Sequence, residues 1–295
     1  MQRKRTGLGG LAPLMKRYSP SATETWMTCP LKRHLSKGWQ PRRTGKRELG
    51  AILGGAFAAG VSAWKTAEML GQPLDAALYA EIAVGYARKE LAALEQSGCA
   101  IGEYDRAQAL ALPGRAERAM HAIMAQDPLP KDWKVRDVER IFPEWGESRI
   151  DLGMDTPLGP VVVDWKTRLT QDAKWLPRDV ERWRFSEQRF HYSCAYADFL
   201  QQPVYAFYIL LVVLEPFRAH VIPFVNHPEE LALWLQARQQ TWADMEAEES
   251  GTRKIGMAAK HHDEYGPCEF QKACFESLLD PHLMEHEFAP RGVKV

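Results

Sequence analysis

The stretch from Arg149 to Thr167 constrains the fold more than any other part of the chain. Two runs of strand-forming residues, Ser148–Met154 and Pro160–Thr167, flank Thr156-Pro157-Leu158-Gly159, whose composition is that of a turn. If those four residues form the loop, Asp155 pairs with Pro160. Paired positions in a hairpin keep a constant index sum, so Asp151 then falls opposite Asp164. Directly opposed Cβ atoms lie about 5 Å apart. A bulge would move the register by one residue, which makes this a conditional deduction. Side chains alternate along a strand, so Val162, Asp164 and Lys166 share one face and Val161, Val163 and Trp165 the other, which is expected to be the core side.

Two carboxylates and a lysine therefore converge on one patch. Two close carboxylates repel unless a proton or a cation lies between them. A hard cation such as Mg²⁺ or Mn²⁺ prefers oxygen ligands. The pattern thus points to Asp151 and Asp164 as metal ligands, with Lys166 orienting or helping to activate a water for attack on phosphorus. The competing reading is a surface hairpin with ordinary charges. Against it, the charges interrupt the apolar run Val161-Val162-Val163 and face another acid.

Around this hairpin the chain reads as helices first and an α/β core after. Ser21 and Glu24 sit at capping-box spacing, at the start of a helix that would run to about Ser36. Leu49–Leu70 has helical spacing, weakened by Gly50, Gly54, Gly55 and Gly60. Leu74–Gln96 and Ala107–Gln126 read as amphipathic helices. After Asp127-Pro128-Leu129-Pro130, Lys134–Phe142 reads as a strand preceding the hairpin, Phe185–Leu200 as a helix, Val204–Leu214 and Arg218–Val225 as strands, and Glu229–Glu248 as a helix. The expected division is a basic N-terminal arm and helical region over 1–127, a core over 128–226 and a C-terminal helix with a Cys-containing segment over 227–295, all integrated in one domain.

Formal net charge is zero, so bulk charge does not argue for nucleic acid, but its distribution is uneven. Residues 1–47 carry twelve Lys or Arg and one acid, whereas residues 229–249 carry six acids and one Arg. Such a basic arm can meet phosphates. The longest apolar run, Pro203–Leu214, is about half the length of a membrane-spanning helix and reads as a buried strand, so no membrane partner is expected. No secretory signal is visible and the five cysteines are odd in number and far apart, so an intracellular, cytoplasmic location is expected.

Asp151 followed by Asp164-Trp165-Lys166-Thr167 resembles the RecB-like branch of the PD-(D/E)XK nuclease superfamily. So do Gln188 and Tyr192, which match its Gln-x-x-x-Tyr on the following helix, and the entry from Tyr18-Ser19-Pro20-Ser21 to Cys29-Pro30. The resemblance implies a restriction-endonuclease-like mixed sheet flanked by helices and a Mg²⁺- or Mn²⁺-dependent DNA nuclease. It further implies an exonuclease that processes ends in recombination, repair or phage DNA metabolism, with DNA and recombination or replication proteins as partners. It makes Asp151, Asp164 and Lys166 the catalytic set. Gln188 and Tyr192, four apart on one helical face, would support the metal site or hold a phosphate. Arg149 and Arg168 are candidate DNA contacts, and Arg168 opens a basic stretch with Lys174, Arg178, Arg182, Arg184 and Arg189 that reads as a phosphate-contacting loop.

Two departures from the pattern stand out. The branch usually carries a His on an early helix, and here Gly54 stands at that position, so Glu48 or Glu139 is expected to supply an extra carboxylate ligand, Glu139 on the preceding strand being the better candidate. The missing His also motivates a second reading, a catalytically inactive DNA-binding or assembly protein of the same fold. Some members hold a [4Fe–4S] cluster on four cysteines. Cys29, Cys268 and Cys274 match three positions and Tyr265 stands at the fourth, which favours unliganded thiols packing the ends of the chain together over a cluster.

Overall fold

The computed structural model describes residues 17–41, 46–96, 103–169 and 176–253, together with short strands near the C-terminus. The chain starts with two short helices, α1 (Pro20–Thr28) and α2 (Pro30–Gly38), and strand β1 (Trp39–Pro41). Three longer helices follow: α3 (Lys46–Met69), α4 (Ala76–Gln96) and α5 (Glu103–Gln126). The central segment contains β2 (Lys134–Phe142), β3 (Ser148–Thr156), β4 (Gly159–Arg168), α6 (Leu176–Arg184), α7 (Glu187–Leu200), β5 (Ala206–Leu214), β6 (Phe217–Val225) and α8 (Pro228–Glu249). The short strands β7 (His262–Asp263), β8 (Gly266–Pro267) and β9 (Phe288–Pro290) complete the described chain.

The main sheet has five strands in the order β2-β3-β4-β5-β6. It is antiparallel except for β4 and β5, which run parallel. A parallel neighbour requires a long crossover, here α6 and α7. The hairpin register is the one counted from the turn, with Asp155 opposite Pro160 and Leu152 opposite Val163. Pairing reaches Thr156 and Gly159, so the loop proper is Pro157-Leu158. Thr156 Oγ1 accepts from the Leu158 amide at 3.2 Å and donates to the Gly159 carbonyl at 2.8 Å, closing the turn.

Both faces of the sheet are buried, which corrects the expectation that only the Val161, Val163 and Trp165 side packs a core. On that side Leu152, Met154, Val161, Val163 and Trp165 meet Phe57, Val61, Trp64, Met120 and Ile123 of α3 and α5. On the opposite side Ile150, Val162, Phe207, Ile209 and Leu211 meet Phe190, Cys194 and Tyr196 of α7 and Trp234 and Trp242 of α8. The sheet is thus the middle of three layers. A side chain leaving β4 on either face enters protein rather than water, and this is why the position of Asp164 has chemical meaning.

Three local readings are also corrected. The first helix is two helices broken at Cys29, whose extended backbone caps α1 while Pro30 starts α2. Ser19, not Ser21, is the N-cap, accepting from the Ala22 amide. The basic stretch expected as a loop contains helix α6, which packs Leu176, Val180 and Trp183 against the α7–α8 layer. Among the described residues no helix is long and apolar enough to cross a membrane.

Candidate active site

The backbone ladder between β3 and β4 runs as far as Leu152 and Val163, and a side chain takes the next step. The Trp165 amide donates to Asp151 Oδ2 at 2.8 Å, so the carboxylate holds the edge of β4 in place of a carbonyl. One residue earlier on β4, Asp164 enters the α7 side of the sheet and is only 2% exposed. Lys166, two residues on, shares its face and places Nζ 2.6 Å from Asp164 Oδ2. Gln188 of α7 accepts a hydrogen bond from the same ammonium at 3.0 Å. Gln188 also hydrogen-bonds Tyr192 one turn on. With its carbonyl taken by Lys166, the Gln188 amide nitrogen is the group left for the phenol oxygen.

These groups line an open cleft of about 700 Å³ at the end of the hairpin. One wall is α7 with Gln188 and Tyr192, and the opposite wall is α3 with Gly54, Gly55 and Ala58. Glu147, Arg149 and Ile141 stand at its rim. The α3 wall is bare for a physical reason. A Cβ on Gly54 would come 3.2 Å from Thr167 Oγ1, and one on Gly55 would collide with the Tyr86 ring. Of the glycines that weakened the helical reading, Gly54 is where α3 approaches the end of β4. Gly54, at the expected His position, lines the cleft itself.

The electrostatics follow from this crowding. Burial and the neighbouring Asp164 push the Asp151 carboxyl up to about 7, against smaller opposing effects from the Trp165 amide and Lys166. Burial pulls the Lys166 ammonium down, but Asp164 and Asp151 more than offset it, and its pKa lies above the ordinary lysine value. Lys166 is therefore a cation at neutral pH. Tyr192 is raised by burial and by both acids, so its hydroxyl keeps its proton.

Asp164 Oδ2 is buried and, among the described residues, has no partner besides Lys166. Two recessed carboxylates that disfavour a second negative charge, one of them with a lone ammonium as its partner, suit a small hard cation. Among the described residues no group of three His, Cys, Asp or Glu side chains converges as a metal cage. Glu139 acts on the Asp151 carboxyl through its charge, raising it, while its oxygens are engaged elsewhere. It accepts from Ser62 Oγ at 2.8 Å and pairs with Arg149 Nε at 2.8 Å.

A family model described as the PD-(D/E)XK nuclease superfamily matches residues 17–275. The chain belongs to that superfamily. Members generally hydrolyse phosphodiester bonds in nucleic acids and typically use Mg²⁺ or Mn²⁺. The five-stranded mixed sheet with its helices is consistent with their restriction-endonuclease-like fold. A comparison with curated proteins gives no match.

The remaining candidates of this nuclease-superfamily chain are placed as follows. Arg168 lies 2.6 Å from Asp179 of α6, an ion pair that ties the end of β4 to the crossover. Arg189 is buried and donates to the Arg184 and Val225 carbonyls and Glu230, which makes it a packing residue. Arg182 acts electrostatically on Lys166 and so lies near the cleft. Cys29 is buried, and Cys268 and Cys274 lie outside the described residues. Glu147 at the rim was not singled out from sequence. Its signal would have been the Gly146-Glu147 pair, both at positive φ, re-aiming the chain into β3.

Proposed function

We propose that the chain is a divalent-cation-dependent deoxyribonuclease, and within that class an exonuclease of the RecB-like kind acting in recombination, repair or phage DNA processing. The observation that carries the reading is the recessed Asp151–Asp164 pair with Lys166 held between Asp164 and Gln188. Asp151 and Asp164 would hold Mg²⁺ or Mn²⁺, which supplies Lewis acidity and makes water a better nucleophile at neutral pH.

The chain's own groups do the rest. Lys166, fixed by Gln188, presents its ammonium to the attacking water and to the negative charge that grows on the phosphoryl oxygens. The water oxygen bonds to phosphorus and its proton passes to solvent, while the bond to the leaving sugar oxygen breaks and that oxygen takes a proton from solvent. Tyr192, whose oxygen faces the Gln188 amide, has its hydroxyl proton to give to a phosphate oxygen. Arg149, exposed at the rim, adds a charge-assisted contact to a neighbouring phosphate. Arg168 would steer DNA only through the field it shares with Asp179.

The purified chain should degrade linear DNA in Mg²⁺ and spare closed circles of the same sequence, and Asp164→Ala should abolish degradation. Equal activity of Asp164→Ala would end the enzyme reading, and rapid cutting of circles would end the exonuclease reading. One observation favours a second reading, a silent DNA-binding member of the fold. Gly54 lines the cleft where the branch usually places a His.

A further inference from the structure

Arg149 and Asp151 lie two apart on β3 and both line the cleft. An arginine beside two recessed carboxylates should be drawn onto them, because the guanidinium fork matches a carboxylate and attraction grows in a dry site. It is not. Arg149 Nε lies 2.8 Å from Glu139 Oε2, and the other oxygen of Glu139 accepts from Ser62 Oγ of α3 at 2.8 Å. Glu139 occupies the step of β2 between Val138, opposite Leu152, and Arg140, opposite Ile150, so it faces the Asp151 position. Its φ is 51°, a left-handed conformation that a glutamate adopts only under constraint. The backbone turns there, and the side chain runs to α3 and Arg149 rather than to the two acids.

We infer that Glu139, anchored by Ser62, is a positioning residue that keeps the Arg149 guanidinium off Asp151 and Asp164. It leaves the acids open to a divalent cation and presents the arginine at the rim to a phosphate beside the one cut. This rests on reading Asp151 and Asp164 as the cation ligands and Arg149 as a DNA contact.

The test is a cycle of Glu139→Gln, Arg149→Ala and the double variant, titrated with Mn²⁺ by calorimetry. Glutamine keeps the size of the side chain and an acceptor for Ser62 but drops the ion pair. Glu139→Gln should weaken Mn²⁺ binding roughly tenfold, as loss of a supporting partner does, and adding Arg149→Ala should restore it. An equal loss with and without Arg149, or no loss, overturns the inference. If wild-type protein takes up no Mn²⁺, the cation reading fails by itself. The latch is then decided in EDTA by the anisotropy of a fluorescein-labelled single-stranded oligonucleotide over a salt series. Arg149→Ala should reduce the slope of log affinity against log salt by about 0.7. Glu139→Gln should do the same, because the released arginine pairs with Asp151. Tighter DNA binding by Glu139→Gln overturns the latch. Should Glu139→Gln fail to fold, Ser62→Ala loosens the latch from its other end and should shift both readouts in the same direction.

Discussion

Replacing Asp151 with Asn should make the metal-free protein more stable at alkaline pH while ending its response to Mn²⁺. Water sets an aspartate near 3.8, and this fold sets Asp151 near 7. Holding it ionised above pH 7 therefore costs up to about 4 kcal/mol, at roughly 1.36 kcal/mol per pH unit. The sign follows from linkage. Between pH 4 and 7 the folded state binds the extra proton, so this group's contribution falls as pH rises through that window and is lowest above about 7. Asparagine is close in size, keeps an oxygen for the Trp165 amide and carries no charge. In EDTA at pH 8 the variant should melt on the order of 5–10 °C above wild type, and the gap should close as pH approaches 4. Saturating Mn²⁺ should raise the wild-type midpoint and leave the variant where it was. Differential scanning fluorimetry across pH, with and without Mn²⁺, reads both effects. A variant less stable than wild type at pH 8 in EDTA would refute the reasoning, because it would mean that the charge contributes stability without a cation.

Three further outcomes are expected. Lys166→Met should lower turnover by at least about a hundredfold with little change in DNA affinity, measured as kcat against KM; a change confined to KM would make Lys166 a binding group. His191 is buried against Trp145, Trp234 and Trp242 and held neutral, its pKa lowered to about 4 by burial. A group with a depressed imidazolium pKa costs stability as pH falls from about 6.5 toward 4, so His191→Gln should flatten acid destabilisation in a pH series of melting curves. Gly153→Ala would place a methyl carbon against the Tyr196 hydroxyl and should cost about 1–3 kcal/mol in urea unfolding, partly recovered by Tyr196→Phe.

The hairpin was legible because its information is local. A turn of Thr, Pro, Leu and Gly, a period of two and a constant index sum are enough to set Asp155 opposite Pro160 and Leu152 opposite Val163, one step short of Asp151 and Asp164. Gln188 and Tyr192 were legible as an i, i+4 pair, although the contact of Gln188 with Lys166 depends on how α7 packs across β4. Helix α6 carried its own signal, since Leu176, Val180 and Trp183 recur at helical spacing, but the arginines between them masked it. Burial on both faces of β4 was hidden because a run of three valines looks the same whether one layer or two cover it. The choice of partner at Glu139 was not in the local pattern. A carboxylate on a neighbouring strand can turn toward a cation or toward an arginine, and Ser62, distant in sequence, helps to fix which.

The hydrogen bond from the Trp165 amide to Asp151 has a consequence for ion choice. One oxygen of Asp151 is spent on the strand and one oxygen of Asp164 on Lys166, so each acid has a single oxygen left to offer. A site with two one-handed acids must fill most of its coordination shell from solvent and substrate. Mg²⁺, which is reluctant to shed water, accepts those terms, whereas Ca²⁺ asks for more oxygens and often for both of a carboxylate's. Were Asp151 and Asp164 to hold the cation as proposed, the β-sheet itself would discriminate between the two ions, through a peptide N–H that occupies one oxygen of Asp151.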